Sequence, residues 1–406
     1  MKYIFIALGA FSFLFTSCDE KKKDAFFILN NSIDIARTEV IVFTKEEVLK
    51  LYPELKRFEV PALVDPLGNI FPYQLDDLDG SDEWDEIAVA IDFEALEKKQ
   101  VRFTAFAKAL VPLFPKITDV HLGVGNIKPY AREVQKYSRT TDPRKNDTIF
   151  LQMEGPAWEN DRVGFRMYFD PRNGIDIFGK TTAGPTLHKQ GLRTNYHDLA
   201  DWGMDILKVG NSLGAGSLAI KYKDSLYRLQ GVYSSRFEAL AEGPARAIFT
   251  ITYLDEPIGN VNINVVHTIS IEKGDWFYKS NVELYGKTDG MELVTGIVDL
   301  KPNKMESNSL FQDGFALYSY GKQSENDDHL GMAIITNTSD VLVSEAPVDG
   351  GGITRTHLIN LGKKTNQTFY FMSGWEASDK KFATEEGFAK EVIKSANSIA
   401  NPIVVE

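Results

Sequence analysis

Alternation constrains this chain most. Val163, Phe165, Met167 and Phe169 share one phase against Gly164, Arg166 and Tyr168. Phe249, Ile251 and Tyr253 repeat the pattern, and Val261, Ile263, Val265, His267, Ile269 and Ile271 hold a single phase throughout. Successive side chains of a strand point to opposite faces, whereas a helical stripe recurs about every 3.6 residues, so this period builds strands. Further runs follow at residues 276–285, 331–336 and 368–372. The 31 glycines supply frequent turns, and the 12% aromatic content suits pleated, half-buried surfaces. The expected class is all-β, mainly antiparallel, with few helices. Strands do not alternate with helices, which excludes a Rossmann or TIM-barrel architecture.

At 406 residues the chain is long enough for two or three domains. Residues 25–44 read as one or two strands. Residues 45–57 read as a helix, with Val48, Leu51, Leu55 and Phe58 on one side. Short runs and turns then continue to residue 109. Residues 25–135 are therefore expected to form a small N-terminal β-sandwich. Residues 136–147 are polar and aperiodic, a linker or a long surface loop. Residues 148–406 are expected to form a large antiparallel sandwich. It should close on a helix capped by Thr384, with Ala389, Val392, Ile393, Ala396 and Ile399 as its apolar face.

The first residues carry an address. Lys2 precedes an apolar run of about 14 residues, too short to span a bilayer. The run ends in Leu14-Phe15-Thr16-Ser17-Cys18, which resembles a bacterial lipobox. Residues 1–17 are expected to be a lipoprotein signal peptide and Cys18 a lipidation site. Residues 18–24 would be a tether, and the protein an exported lipoprotein of the outer membrane, on its periplasmic side or at the cell surface. With one cysteine, no intrachain disulfide framework is available. A net charge of −12 without a basic block argues against nucleic-acid binding.

Residues 158–217 concentrate the polar chemistry. Alternation puts Arg166 and Tyr168 together, on either a solvated face or a groove face. In a groove, Arg166 could grip a carboxylate and Tyr168 move a proton. His188 and His197 lie among Arg193, Asn195, Tyr196 and Asp198 without a metal-binding spacing; either is a loop histidine or a general base. His267 shares the phase of Val265 and Ile269, a core histidine or the lining of a cleft. Asp198, Asp201 and Asp205 would share one side of a short helix with Trp202. Trp158 and Trp202 are tryptophans of the core or platforms for a sugar ring. The glycine-rich Gly210–Ser217 stretch lacks the residues of a phosphate loop and reads as a turn. The acidic stretch from Asp77 to Glu86 misses the spacing of a calcium loop and reads as an acidic hairpin. An acidic chain that binds an acidic glycan needs a local basic pocket, for which Arg162, Arg166, Lys180, Lys189, Arg193 and Lys208 are candidates.

Together, the lipobox, PYQLDDLDGSDEWDE, WENDRVGFRMYFD, IDIFGK and YHDLADWGMDILKVGNSLGAGS resemble a domain-of-unknown-function family. Its members are exported lipoproteins of polysaccharide-degrading bacteria. The stretches EGPARAIFTITY, HTISIEKGDWF and FMSGWEASDKKFATEEGF are similar to the β-supersandwich of galactose-mutarotase-like domains. One branch of the family is similar to the uronic acid dehydratases of ulvan degradation. That resemblance implies elimination of water from a non-reducing-end uronic acid to leave a 4,5-unsaturated uronyl residue. It also implies an acidic oligosaccharide substrate and coupling to unsaturated-glucuronyl hydrolases and sulfatases. A polysaccharide lyase and a noncatalytic glycan-binding lipoprotein are the alternatives. The expected catalytic set is His197 or His188 as base, Arg166 or Arg193 on the carboxylate and Tyr168 or Tyr196 as acid. Trp158, Asn160, Lys180, Asn195, Trp202, Lys208 and His267 are expected to bind substrate. No cofactor is required by the sequence, and a divalent metal stays open.

Overall fold

The computed structural model describes residues 25–231, 233–311, 314–337, 341–344 and 346–406. The expected signal peptide, the expected lipidation site Cys18 and the expected tether lie outside the described residues. The architecture is all-β and antiparallel, with two α-helices among the described residues.

The first sandwich is small. One sheet orders Glu59–Val64, Lys98–Ala107, Phe27–Asn30 and Val404–Val405; the other orders Arg37–Thr44, Glu86–Phe93 and Tyr73–Asp76. Their inner faces meet through Phe27, Phe43 and Phe103, whose ring centroids lie 5.2–5.9 Å apart. Helix α1, Lys45–Leu51, opens on a capping box between Thr44 and Glu47 and buries Val48. It is shorter than the expected 45–57. Tyr52 precedes Pro53, which disfavours helical backbone there, so Phe58 stands off the helix at 78% exposure.

The domain boundaries differ from the expected ones in three places. Asp119–His121 already pairs with Ala157–Glu159 in the larger sandwich. Lys136–Arg139, expected as linker or loop, is an edge strand paired with Ser234–Ala241, a partner too remote in sequence for local pattern to show. Val404–Val405 returns to the first sandwich and pairs with Leu29 and Asn30.

The large sandwich is built on nine strands. Their order is Lys136–Arg139, Ser234–Ala241, Arg246–Ile258, Val261–Glu272, Phe277–Gly286, Asn366–Trp375, Leu330–Thr336, Gly314–Gly321 and Lys304–Phe311. Facing it are two sheets. One orders Gly203–Asp205, Ile175–Lys180, Val163–Met167, Ala157–Glu159 and Asp119–His121. The other contains Ser225–Arg228, Ala215–Tyr222, Glu292–Val298, Ile353–Gly362 and Leu342–Val343. Trp158, Phe165, Phe249 and Tyr278 fill the core with centroids 4.8–5.7 Å apart. The Tyr278 hydroxyl donates to the Ala215 carbonyl at 2.7 Å, tying the two layers together. The glycine-rich stretch is a turn into Ala215–Tyr222. Gly216 has φ +86°, and a Cβ there would meet Phe371 and Tyr278.

Helix α2, Glu385–Ala400, packs on the other side of the nine-stranded sheet. Thr384 caps it, accepting from the Gly387 amide at 3.1 Å. Val392 and Ala396 are buried as expected, but Ile393 is 48% exposed and Phe388 takes the central place. Phe388 lies so close to Gly331 that a Cβ there would come within 2.4 Å of its ring. Phe388→Ala should cost about 3–5 kcal/mol in chemical denaturation, through lost burial and the cavity left behind. A loss below about 1 kcal/mol would mean that α2 is not held by this contact.

Candidate functional site: a buried charged face and its cleft

Alternation decides what each face of the five-stranded sheet carries. Trp158, Phe165 and Ile177 point into the core. On the opposite face, register aligns His121, Ala157, Arg166 and Asp176 in one row. Asp119, Glu159, Gly164, Phe178 and Asp205 form the next. Residues 181–202 wrap over this face. Leu187, Tyr196 and Trp202 pack with Met153, Ala157 and Phe178, and the Tyr196 and Trp202 rings lie 5.7 and 6.1 Å from Phe178. The face is therefore largely covered, and its charges find their partners among one another and the backbone.

Arg166 is fully buried. It donates to Asp176 and to the Met153 carbonyl, lies 3.3 Å from Glu154 and 3.8 Å from Asp205, and stacks over Tyr168 at 4.1 Å. Arg172 stacks on the same ring at 4.0 Å and reaches Glu154 at 2.9 Å. Burial raises the Asp205 carboxyl well above its ordinary range; Asp176 adds repulsion and Arg166 opposes both. Burial likewise raises Asp176 against the pull of Arg166. The Tyr168 and Tyr196 phenols are raised chiefly by burial, so both keep their protons.

The adjoining corner is closed by lysines. Asp119, Glu159 and His188 bring ligand atoms within 4.8 Å of one another, the chemistry of a possible metal site. Glu159, however, accepts from the amides of Thr186 and Leu187 at 2.7 and 2.6 Å and from Lys180 at 2.5 Å. Asp119 pairs with Lys116. A cation would have to displace both lysines. Beside this corner, Gln152 accepts from His121 Nε2 at 2.8 Å while its own amide serves the carbonyls of His188 and Gln190. That network assigns the His121 hydrogen to Nε2 and leaves Nδ1 3.5 Å from Glu133. The acidic hairpin gathers Asp77, Asp79 and Asp85. There Asp77 accepts from the amides of Gly80, Ser81 and Asp82, as an acidic turn does.

One surface cleft opens next to the buried face, lined by Lys128, Arg193, Thr194, Asn195, Tyr196 and His197. The Asp205 amide donates to the Tyr196 carbonyl at 2.8 Å and anchors this loop to the sheet. Asn195 turns it, accepting from the His197 amide at 3.3 Å. His197 has a 60% exposed side chain, its Nδ1 3.4 Å from Asp205 and its ring 4.4 Å from that of Tyr196. The Asp205 carboxyl behind Nδ1 orients the imidazole and leaves Nε2 facing the cleft.

The structure thus brings Arg193, Asn195, Tyr196 and His197 together and disperses the rest. Arg166 is already spent on Asp176 and cannot take a substrate carboxylate without breaking that pair. Tyr168 is held between two guanidiniums. Trp158 is a core residue, 1% exposed, and no sugar platform. Asn160 is buried and spans backbone groups, donating to the carbonyls of Glu272 and Asp275. Lys180 is sealed against Glu159. His267 is fully buried, bonded to Ser280 at 2.6 Å, and burial lowers its pKa to about 3. Trp202 is half-buried on Phe178, His188 half-buried beside Glu159, and Lys208 exposed outside the cleft. Asp198, Asp201 and Asp205 share no helix, since Gly203–Asp205 is a strand. The six candidate cations do not form one basic pocket; only Arg193 enters the cleft, joined by Lys128. Sequence reasoning missed Lys128, which sits in a turn without pattern. It also missed Asp176, although an acid amid the apolar IDIF run, facing an Arg of equal phase, was a readable signal.

These features define an all-β protein with a sealed, charge-paired sheet face supporting a polar cleft. The chain belongs to the family described as domain of unknown function DUF4861, whose model matches residues 29–405. It is 24% identical over 289 residues to uncharacterized protein P7 of Formosa agariphila, covering 66% of this chain and 69% of that one. Among solved structures it is similar to an alpha-mannosidase and to a glycosyl hydrolase family 38 protein, both from Enterococcus faecalis. Each has a TM-score of 0.47 at 10% identity; 94% of this chain is covered, and it spans 45% and 47% of their lengths. A likeness of that order carries no inference about chemistry.

Arg166→Met should destabilise the protein by about 3–5 kcal/mol near neutral pH, because two buried acids lose their cation. Both carboxyls have folded pKa values above their unfolded ones. The folded state therefore holds protons that the unfolded chain releases, and stability falls as pH rises through the raised values. The deficit should be larger at about pH 8 than at about pH 5 in urea titrations. A deficit independent of pH would contradict the assignment.

Proposed function

We propose that this chain is a carbohydrate-active enzyme, an oligosaccharide dehydratase that removes water from the non-reducing-end uronic acid of fragments such as those of ulvan. The observation that carries this reading is the convergence of Lys128, Arg193, Tyr196 and His197 on one cleft, with Asp205 behind His197. The C5 proton of a uronate becomes acidic only when its carboxylate is neutralised, and Arg193 with Lys128 supplies that neutralisation. His197 takes the C5 proton on Nε2, with the Asp205 carboxyl 3.4 Å behind Nδ1 to hold the ring. The electron pair of the C5–H bond becomes the C4–C5 double bond. The C4–O bond breaks, and Tyr196, kept protonated by burial, donates to the departing hydroxyl, which leaves as water. Asn195 is positioned to bind a ring hydroxyl.

The resemblance to exported lipoproteins supports the remainder of the proposal. Cys18 carries the lipid, the protein sits at the outer membrane, and unsaturated-glucuronyl hydrolases consume its product. The direct test is incubation with uronate-ended oligosaccharides and mass analysis. A product lighter by one water at unchanged chain length, with new ultraviolet absorbance, is expected. Shorter unsaturated products would instead identify a lyase, and no change with any acidic glycan a binding protein. His197→Ala should lower kcat/KM by about 10²–10⁴-fold, whereas Arg193→Ala should raise KM as well as lower kcat. His188→Ala should retain most of the activity; the reverse ranking of the two histidines would overturn the assignment of the base.

A further inference from the structure

One end of the small sandwich exposes apolar side chains that the fold had the means to bury. Phe58 is 78% exposed, Leu110 72%, Leu113 95% and Leu49 42%. Glu59 pairs with Ala107, which sets Phe58 beside Lys108 and the Lys108–Leu110 turn that leads to Leu113. Leu49, Phe58 and Lys108 line a common groove. The segment after Ala107 reads KALVPLFPK. Val111 and Phe114 pack inward on the sandwich core while Leu110 and Leu113 point out. A loop that turns two leucines to water and carries a lysine at each end differs from singly scattered apolar residues.

The charges lining this groove balance, with Lys45, Lys56, Arg57 and Lys108 against Glu59, Asp77, Asp82 and Glu83. Lys45 pairs with Glu83 at 2.8 Å and Lys56 with Glu59 at 3.4 Å, and Asp77 is occupied by loop amides. Arg57 and Lys108 flank Phe58, Arg57 acting on Glu83 beside Lys45, and Asp82 lines the same groove. Trp84, half-buried under Lys45, adds an aromatic ring. Phe, Leu and Trp side chains with flanking cations are the composition of surfaces that sit in a lipid headgroup layer.

The position of the described N-terminus names the occupant. Phe27 pairs with Val101 and Asn30 with Lys98, so the chain before Phe27 is directed towards the Lys108 end of its partner strand. Phe26 indeed lies beside Arg102. From Ala25 to Lys108 is about five residues of strand, roughly 17 Å, and the seven residues 18–24 can reach at most about 25 Å. A lipid on Cys18 can therefore enter a bilayer that lies against this surface. We propose that Leu49, Phe58, Leu110 and Leu113, with Arg57 and Lys108 beside them, form a membrane-docking surface that seats the protein on a phospholipid bilayer. The proposal rests on the lipoprotein reading: the lipid retains the protein at the membrane, and this surface fixes which way it faces.

The test uses the chain from residue 18 with Cys18→Ser, so that every described element is kept and no lipid is attached. It is sedimented with vesicles of phosphatidylethanolamine and phosphatidylglycerol, beside a Phe58→Ser/Leu110→Ser/Leu113→Ser variant whose circular dichroism and thermal unfolding serve as fold controls. Binding that falls about tenfold or more in the variant is expected. No binding by the parent, or equal binding by the variant, overturns the surface. So does loss of glycan retention in the variant when neither form binds vesicles, which would make the patch a sugar site. Labelling of the full-length chain by radioactive palmitate reports separately on Cys18, so failure of the lipoprotein reading is distinguishable from failure of the docking surface.

Discussion

The pair formed by Arg166 and Asp176 is the contact on which the outer face of the five-stranded sheet depends. A guanidinium with no exposed surface is tolerable only beside a carboxylate, and here Asp205 and Glu154 share it. Such pairs at best break even against apolar replacements, so stability alone does not account for them. What they provide is a fixed electrostatic frame. Asp205 sits at the buried edge of this frame, and His197 leans on Asp205 from the water side. The covering segment, residues 181–202, belongs to the same logic: Leu187, Tyr196 and Trp202 keep water off the ions and carry the cleft residues at the segment's far end.

Much of this was legible from periodicity. The strands around residues 163–169, 246–258 and 261–272 follow from alternation, and the start of α2 from Thr384. What alternation cannot supply is the cover over a face. Arg166 and Tyr168 were correctly placed on one side of their strand. Whether that side meets water depends on residues 181–202, which are aperiodic and fold back over a distance no local pattern records. The edge strand Lys136–Arg139 escaped for a related reason, since its hydrogen-bond partner lies about a hundred residues away.

The histidines make the same point at the scale of single side chains. His267 obeys the phase of its apolar neighbours and is a core residue bonded to Ser280. His121 alternates with the buried Val120 and Leu122, which gives its face but not its partner, and Gln152 fixes its tautomer. His188 and His197 share one polar stretch and have different surroundings: one beside Glu159, already neutralised by Lys180, the other exposed with Asp205 behind it. Spacing along the chain could not separate them; the sheet register does.

The pairing of Val404–Val405 with Leu29 and Asn30 has a kinetic meaning. A sheet that includes residues from near both ends has very high contact order. While the chain is being made, the small sandwich can gather its phenylalanine core early but must keep one strand edge unpaired until some 370 residues more have passed. Its last seam closes only after the large sandwich has had time to form, so an intact N-terminal sheet would report that the whole chain has arrived.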